Sequence, residues 1–372
     1  MTTYLSANEL HDALTLRDLS DPAHGPHAMQ ELLGQCTSVL AHGWGVPARM
    51  VRDSPLVSVT DNYDNLGFAP STVTRDQRYS RYVSPSVMLR SHTSASVPSL
   101  LRNLPRSISM DDLVVMPGLV YRRDAIDRTH VGTPHQVDLW RISSSTALTP
   151  DDLESMVAVL VDAVLPGAKW RTVPAVHPYT TKGMQVDVLV GSEWLELAEC
   201  GMMAPRLFTD AGLDPERWSG LALGMGLDRA LMLRKGIPDI RLLRARDQRI
   251  GSQMLHLEPW QPVSLLPSIR RDISIVVPKS FDEEVLGDEV RRALGTRSDD
   301  LESVELLGLT DYEDLPEAAR ERLQLDPGQA NALVRITLRP IERTLTALEA
   351  NLMRDDIYRA LHRGSVMELI AE

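Results

Sequence analysis

Residues 118–138 read GLVYRRDAIDRTHVGTPHQVD, in which strand-like apolar ends flank a charged centre. The short apolar runs and the polar, turn-rich link between them predict an antiparallel hairpin over residues 110–142. Arg122, Arg123 and Arg128 alternate with aspartates, a pattern that commonly forms a solvated ladder of opposite charges. Guanidinium forks also suit phosphate oxygens. The hairpin alone therefore leaves a charged surface and a phosphate site both open.

The composition is that of a globular protein. Its length of 372 residues predicts two domains, and 43% hydrophobic with 24% charged residues excludes disordered and fibrous classes. No apolar run approaches the ~20 residues of a membrane helix, and the first residues, MTTYLSANELHDAL, lack the layout of a signal peptide. Two cysteines, Cys36 and Cys200, are too few for a disulfide framework or a four-cysteine zinc site. We therefore expect a cytoplasmic protein that does not enter membranes.

The first two thirds of the chain mix helices and antiparallel strands. Apolar spacing predicts a helix over 25–42, and the cap at Thr149 followed by Pro150 predicts another through about Val164. The segments VPAVHPYT (173–180), MQVDVLV (184–190) and EWLELAECGMM (193–203) are typical of strands. Residues 220–236, GLALGMGLDRALMLRKG, predict a glycine-rich strand that leads into a helix.

A second domain follows a change of pattern near residues 244–267, where periodicity is lost and three prolines occur. We predict a first domain over 1–245, a linker over 246–266 and a second domain over 267–372. The second domain has the order β-α-β-β-α, and its last helix begins with a capping box from Thr346 to Glu349. This order predicts a small ferredoxin-like α+β domain.

A second charged cluster decides the role of the hairpin. GMGLDR, residues 224–229, is by itself only a strand-to-helix turn, but an acidic strand precedes it and the R-x-D hairpin lies upstream. Together, in this order, they resemble motifs 2 and 3 of class II aminoacyl-tRNA synthetases, and in detail the phenylalanine–tRNA ligase family. The resembling segments are GPHAMQ (25–30), DNYDNLGF (61–68), MLRSHTSA (88–95), VYRRDAIDRTH (120–130), HQVD (135–138), HP (177–178), MQVDVLV (184–190), WLELAECGMM (194–203), GMGLDRALMLRKGIPDIR (224–241), PSIRRDISI (267–275) and RITLRPIERTL (335–345).

The resemblance implies a fold class and a layout. The fold is the class II synthetase catalytic fold, a mainly antiparallel sheet flanked by helices. The two C-terminal segments resemble the ferredoxin-fold anticodon-binding domain, so the layout is similar to that of the single-chain, organelle-type enzyme.

For the nucleotide, the resemblance implies an ATP site with Mg²⁺. Arg122 would bind the α-phosphate, and Asp124 and His130 would position the nucleotide. Arg229 would lie along adenine and reach the γ-phosphate, and Glu196 would be the carboxylate on the metal side. Transfer of an adenylyl group needs positioning and charge neutralisation more than a general base, which agrees with these residue types.

For the amino acid, the resemblance implies that His92, Ser94, Gln136 and Asp138 hold its α-amino and carboxylate groups. Each also has a simpler interpretation. His92 and Ser94 are equally compatible with turn or cap positions, and Asp138 with a pair to Arg141 alone.

The chain departs from the family pattern at four site positions. Pro134 replaces the aromatic residue that would stack on adenine. His177 and Tyr179 replace the two phenylalanines around the substrate ring, and Glu199 replaces a glycine. A buried carboxylate there costs several kcal/mol unless it is paired, so Glu199 either faces solvent, forms a local salt bridge or binds substrate. These replacements favour a substrate with a polar or cationic side chain.

The predicted second domain is acidic. From Leu265 onward there are 14 Arg plus Lys and 22 Asp plus Glu residues, a net charge of −8. Such a domain is a poor binder of phosphate backbones overall. Arg335, Arg339 and Arg343 could still form a local basic patch.

We therefore predict an amino-acid-adenylating enzyme resembling phenylalanine–tRNA ligase, with ATP, Mg²⁺, an amino acid and tRNA as its partners. One alternative is a paralogue that activates a more polar or modified amino acid for an acceptor other than tRNA. Another is a catalytically retired RNA-binding or regulatory protein. Arg122, Gln136 and Arg229 argue against retirement, whereas Pro134 and Glu199 leave it open. Monomer and homodimer are both compatible with the sequence.

Overall fold

The computed structural model describes residues 4–75, 80–106, 108–122, 128, 130–263, 266–341 and 343–367. Contacts divide the chain into two compact units. The first comprises Met1–Arg122, Thr133–Ile237 and Ser252–Trp260, and the second comprises Arg123–Gly132, Pro238–Gly251 and Gln261–Glu372. The predicted boundaries at 245 and 267 stay predictions.

The first unit contains α1 to α7 and β1 to β10. The helices are α1 (Ala7–Thr15), α2 (Ala28–Trp44), α3 (Val59–Asn62), α4 (Val97–Arg102), α5 (Pro150–Val164), α6 (Pro205–Asp210) and α7 (Leu227–Lys235). The strands are β1 (Ala48–Met50), β2 (Leu56–Ser58), β3 (Arg81–Tyr82), β4 (Val87–Leu89), β5 (Asp111–Leu119), β6 (His135–Ser143), β7 (Trp170–Pro174), β8 (Thr180–Val190), β9 (Glu193–Met203) and β10 (Ser219–Gly226).

Among the described residues, the main sheet has seven strands in the order β1-β5-β6-β10-β9-β8-β7. Every pair is antiparallel except β1 with β5. A small separate sheet has the order β2-β4-β3. The predicted hairpin is confirmed as β5 and β6, and the mainly antiparallel sheet with flanking helices is the expected class II synthetase core.

Local sequence explains where the helices begin. The Thr149 hydroxyl accepts the Asp152 N–H, and the Asp152 carboxylate accepts the Thr149 N–H at 2.8 Å, so α5 starts with a capping box. α2 starts later than predicted because His27, through its Nδ1, caps Met29. Within the segment 173–180, β7 ends at Pro174 and β8 begins at Thr180, and His177 lies in the connection between them.

The second unit contains α8 (Gln248–Gly251), β11 (Ile269–Pro278), α9 (Glu283–Leu294), β12 (Leu301–Asp311), α10 (Glu317–Leu323), β13 (Gln329–Leu338) and α11 (Ala347–Leu361). Within its described residues the sheet is antiparallel, in the order β11-β13-β12. The predicted capping box at Thr346 is present. A fourth strand is not found in the described part, so a complete ferredoxin-like domain stays a prediction. The predicted linker is not structureless, because it contains α8 and the buried Ile250 and Met254.

The arginines predicted to form a basic patch are each paired with a carboxylate. Arg335 forms a two-bond pair with Asp272, Arg339 Nε lies 2.9 Å from Glu302, and Arg343 bonds both Asp300 and Glu349. No helix in the described part of the chain has the length and apolarity needed to cross a membrane.

Candidate functional site

The floor of the site is a run of small residues on β10. Side chains two apart on a strand share a face, so Gly220, Ala222, Gly224 and Gly226 leave one face of the central strand almost bare. A Cβ built at Gly224 would lie 3.2 Å from Nε2 of Gln136 and 3.8 Å from Oδ1 of Asp138. The strand therefore forms a trough between β6 and β9.

The two walls carry the predicted site residues. Asp138 on β6 and Glu199 on β9 both stand opposite Gly224, and Gln136 stands opposite Gly226. Between β8 and β9 the register shifts, so that Gln185 faces Glu199 but Asp187 faces Glu196. This irregularity turns Glu196 to the same face as Glu199, as bulges near active sites commonly do.

Asp138 lies on the β6 wall of the trough and is 1% exposed. Its carboxylate accepts hydrogen bonds from the Thr93 hydroxyl, from the Ser94 hydroxyl at 3.0 Å and from the Trp140 indole N–H at 2.8 Å. Burial raises the pKa of Asp138, and these donors oppose the rise. Arg141 bonds Asp111 instead, so the simpler interpretation of Asp138 as a partner of Arg141 is wrong.

His92 and Gln136 present unsatisfied polar atoms near this carboxylate. Neither ring nitrogen of His92, nor Oε1 of Gln136, has a well-formed hydrogen bond to a described residue. Burial and the Arg122 guanidinium lower the pKa of His92 to about 4, so its ring is neutral at pH 7. His92 also makes no cap bond to the turn Thr93–Ser96. Buried polar atoms that lack partners can gain hydrogen bonds from a bound ligand. The ammonium and carboxylate groups of an amino acid could supply such bonds here.

Aromatic rings surround the middle of the trough. Tyr179 stacks on Trp140 at 5.9 Å and on His177 at 5.9 Å, and its ring lies 6.2 Å from that of Phe68. Phe68 in turn stacks on His92 at 5.5 Å. Burial and the nearby Asp138 carboxylate raise the pKa of Tyr179, which keeps its phenol neutral. This wall is aromatic but, at His177 and Tyr179, also polar.

Glu199 forms a local pair with His177. Nε2 of His177 lies 3.2 Å from Oε2 of Glu199, although the ring N–H is not aligned for a hydrogen bond. The nearby imidazole holds the pKa of Glu199 below its usual range, against the effect of burial. The Glu199 side chain is 45% exposed, so the carboxylate is ionised without a large burial cost.

Two arginines and a carboxylate form the other end of the site. Arg122 ends the β5 side of the hairpin, and Arg229 in the first turn of α7 donates to the carbonyl of Glu196 at 3.3 Å. Burial and Glu199 raise the pKa of Glu196, while Arg229 and Arg122 act in the opposite direction. The three side chains are therefore within electrostatic reach of one another.

The remaining predicted residues lie elsewhere. Asp124 is outside the described residues. His130 belongs to the second unit, and its predicted contact with the nucleotide stays a prediction. Pro134 continues the hairpin, since its carbonyl accepts the N–H of Val120 at 2.9 Å.

Sequence reasoning missed a buried link between the two motifs. His135 Nε2 accepts the N–H of Leu19 at 2.9 Å, so its Nδ1 carries the proton and donates to Asp228 at 3.1 Å. Asp228 also accepts the backbone N–H of His135 at 2.5 Å. The link joins β6 to the first turn of α7 beside Arg229. A histidine next to Gln136 and an aspartate next to Arg229 were the available signal.

A small cavity of about 10 Å³, roughly room for one water molecule, opens onto the trough. Its lining includes Asp138, His177, Tyr179, Glu199, Cys200 and Gly224. Among the described residues there is no cluster of three or more His, Cys, Asp or Glu side chains that could hold a metal ion on its own.

Comparison with known proteins agrees with this arrangement. Residues 19–254 match the family described as tRNA synthetases class II core domain (F). The phenylalanine–tRNA ligase alpha subunit of Prochlorococcus marinus (strain MIT 9313) is 36% identical over 192 residues, 52% of this chain and 56% of that subunit. The chloroplastic/mitochondrial phenylalanine–tRNA ligase of Arabidopsis thaliana is 28% identical over 327 residues, 83% of this chain and 71% of that protein.

Among solved structures, pyrrolysyl-tRNA synthetase from Desulfitobacterium hafniense aligns with a TM-score of 0.47 at 20% identity, over 64% of this chain and 78% of that one. The match to the Prochlorococcus marinus alpha subunit spans little more than half the length of that subunit. The family match itself covers more than half of this chain, including the trough, both walls and the two arginines. The chain therefore belongs to the class II tRNA synthetase core domain (F) family.

Proposed function

We propose that this protein activates an amino acid with ATP to form an aminoacyl adenylate and transfers the aminoacyl group to tRNA, as phenylalanine–tRNA ligases do. The observation that carries the proposal is the arrangement of charged side chains on one face of the main sheet. Ser94 and Asp138, which would bind the ammonium group, lie on the β6 side of Gly224 in the bare strand. The guanidinium groups of Arg122 and Arg229 act on Glu196, which lies on the β9 side of that strand.

The arrangement suits an in-line displacement at phosphorus. The amino acid's carboxylate oxygen forms a bond to the α-phosphorus of ATP, and the bond to pyrophosphate breaks. The attacking carboxylate is already ionised at neutral pH, so no general base is needed. Arg122 and Arg229 would neutralise charge on the phosphates, while Asp138, Ser94 and Gln136 would hold the amino acid in place.

Class II synthetases in general use ATP with Mg²⁺, and the residues present fit such an ion. Mg²⁺ in nucleotide sites is usually bound by one or two carboxylates together with substrate phosphates. Glu196 can supply one carboxylate, and its own partners are the arginines that would contact those phosphates. When bound, the ion would neutralise charge on the departing pyrophosphate.

A second candidate is activation for an acceptor other than tRNA. It is favoured by the second unit, where Arg335, Arg339 and Arg343 are already paired with carboxylates. Paired arginines offer less positive potential to a phosphate backbone, so binding of tRNA through this surface would be weak.

Amino-acid-dependent exchange of labelled pyrophosphate into ATP tests the activation step, and charging of a total tRNA pool tests the transfer step. We expect exchange with at least one amino acid of a full panel. Exchange without charging would support the second candidate. No exchange with any amino acid, from protein that is folded by circular dichroism, would refute amino-acid activation.

A further inference from the structure

We propose that the amino acid selected by this site carries a second ammonium group, as ornithine and lysine do, and that Glu199, held by His177, is the residue that selects it. This inference rests on the proposed activation reaction and names its substrate class. It follows from the spacing, charge and unsatisfied atoms of the trough.

The spacing is set by the sheet. Asp138 and Glu199 stand in register on either side of Gly224, so their Cα atoms are separated by two strand spacings, about 10 Å in all. Both side chains rise from the same face. With about 2.8 Å for each charge-assisted bond, the two nitrogens lie roughly 4 Å apart if both bonds point along the line between the strands, and about 10 Å apart if both nitrogens sit above their carboxylates.

A diamino acid matches this separation. Three bonds of an extended chain span about 3.5 Å, so the six bonds between the two nitrogens of lysine span about 7 Å. The five bonds in ornithine span correspondingly less. The floor between the carboxylates is Gly224, which has no side chain to obstruct the methylene groups that join the two nitrogens.

The charge of the cavity favours a cation. Asp138 and Glu199 are both carboxylates, and the described residues that line the cavity include no lysine or arginine, although Arg90 acts on Asp138 and Arg122 on Glu199 from outside it. Asp138 already accepts three hydrogen bonds but has room for one more, since an ionised carboxylate offers about four acceptor positions. That position suits the α-ammonium group.

Glu199 has a free acceptor for the second ammonium. Its Oε2 faces His177, whereas its Oε1 makes no hydrogen bond to any residue in the described part of the chain. A phenyl ring laid over this carboxylate would desolvate it without giving it a partner. A second ammonium would instead complete the pair formed by Glu199 and His177.

The test compares lysine with norleucine, which has the same carbon chain but lacks the terminal ammonium group. We expect wild-type kcat/KM in pyrophosphate exchange to be at least ~100-fold higher for ornithine or lysine than for norleucine or phenylalanine, because a site built for a polar group rejects an analogue that lacks it. Glu199→Gln should reduce use of the diamino acid by about 100-fold and leave norleucine unchanged or improved. Glu193→Gln, an exposed substitution on the same strand, should have no effect.

Each outcome is decisive. Efficient exchange with phenylalanine that is unchanged in Glu199→Gln would overturn this inference and leave the proposed activation reaction standing. Equal loss for lysine and norleucine in Glu199→Gln would assign Glu199 a general structural role and also overturn it. Calorimetric titration of lysine and norleucine into the wild type measures selection without turnover. No binding and no exchange with any amino acid would refute both proposals together.

Discussion

The indole N–H of Trp140 donates a 2.8 Å hydrogen bond to Oδ1 of Asp138, two residues earlier on the same strand. Trp140 is fully buried and stacks on Tyr179. One side chain therefore fixes both the Asp138 carboxylate and an aromatic ring of the trough wall. Its removal should affect stability and substrate binding together.

Trp140→Phe keeps an aromatic ring but leaves the buried Asp138 carboxylate with one donor fewer. We expect the free energy of unfolding to fall by about 1–3 kcal/mol, the usual cost of a buried polar group that loses a partner. Urea denaturation measures the change. Trp194→Phe, at a half-exposed position on β9, is the control and should change it by less than about 0.5 kcal/mol. If both substitutions lower the free energy of unfolding equally, the hydrogen bond from Trp140 to Asp138 does not contribute to stability.

Asp138 should also make stability depend on pH. Burial raises the folded-state pKa of Asp138 above the usual 3.8. At pH values between 3.8 and this folded-state pKa, the folded state therefore binds more protons than the unfolded state. The free energy of unfolding attributable to Asp138 must then decrease as pH rises from about 3.8 through the folded-state pKa. Asp138→Asn removes this dependence. Parallel stability–pH curves for wild type and variant over that range would contradict the assigned shift.

Gly224→Ala tests the trough directly. The added methyl group would lie 3.2 Å from Nε2 of Gln136, a flexible group that can move, so we expect little loss of stability. It would also occupy the floor over which the substrate lies, and kcat/KM for exchange should fall at least ~10-fold, because misplacing bound reactants by about 1 Å can cost ~100-fold in rate. Gly43→Ala in α2, where no atom lies within 4 Å, is the control. Wild-type activity in Gly224→Ala would place the substrate elsewhere.

If tRNA binds through its phosphates, its affinity for the protein should decrease as the salt concentration rises. If the protein contacts several phosphates, the logarithm of its association constant should fall linearly with the logarithm of salt concentration, with a slope near −0.7 to −0.9 per phosphate contacted. Filter binding between low and physiological salt measures this slope. Absence of any binding at low salt, with pyrophosphate exchange intact, would favour an acceptor other than tRNA.

Local signals in the sequence predicted much of the fold. The capping boxes at Thr149 and Thr346, the hairpin around residue 128 and the glycine-rich strand before Arg229 depend on neighbouring residues, and the structure has the corresponding elements. β1 was missed because a three-residue strand is too short to show a periodic pattern. Its parallel pairing with β5 depends on residues that are distant in the sequence. α10 was missed because a seven-residue helix shows less than two full turns of periodicity.

The sequence named candidate site residues, whose roles stay predictions, but it did not give their contacts. The resemblance named Asp138, but its bonds to Thr93 and Trp140 depend on how β6 meets a distant turn. The orientation of Glu196 depends on a register shift between β8 and β9 that no local pattern encodes. Glu199 was left with three alternatives, and the structure places it in a local pair with His177.

The central claim, adenylate formation, is tested most directly by pyrophosphate exchange in Arg122→Ala and Arg229→Ala. Each change removes a cation proposed to contact the phosphates of ATP. We therefore expect the rate to fall at least ~100-fold in each variant, the usual effect of losing one preorganised charge contact in the transition state. Arg217→Ala, at an exposed arginine of the same unit, should exchange at the wild-type rate. Exchange at the wild-type rate in both Arg122→Ala and Arg229→Ala would contradict the account.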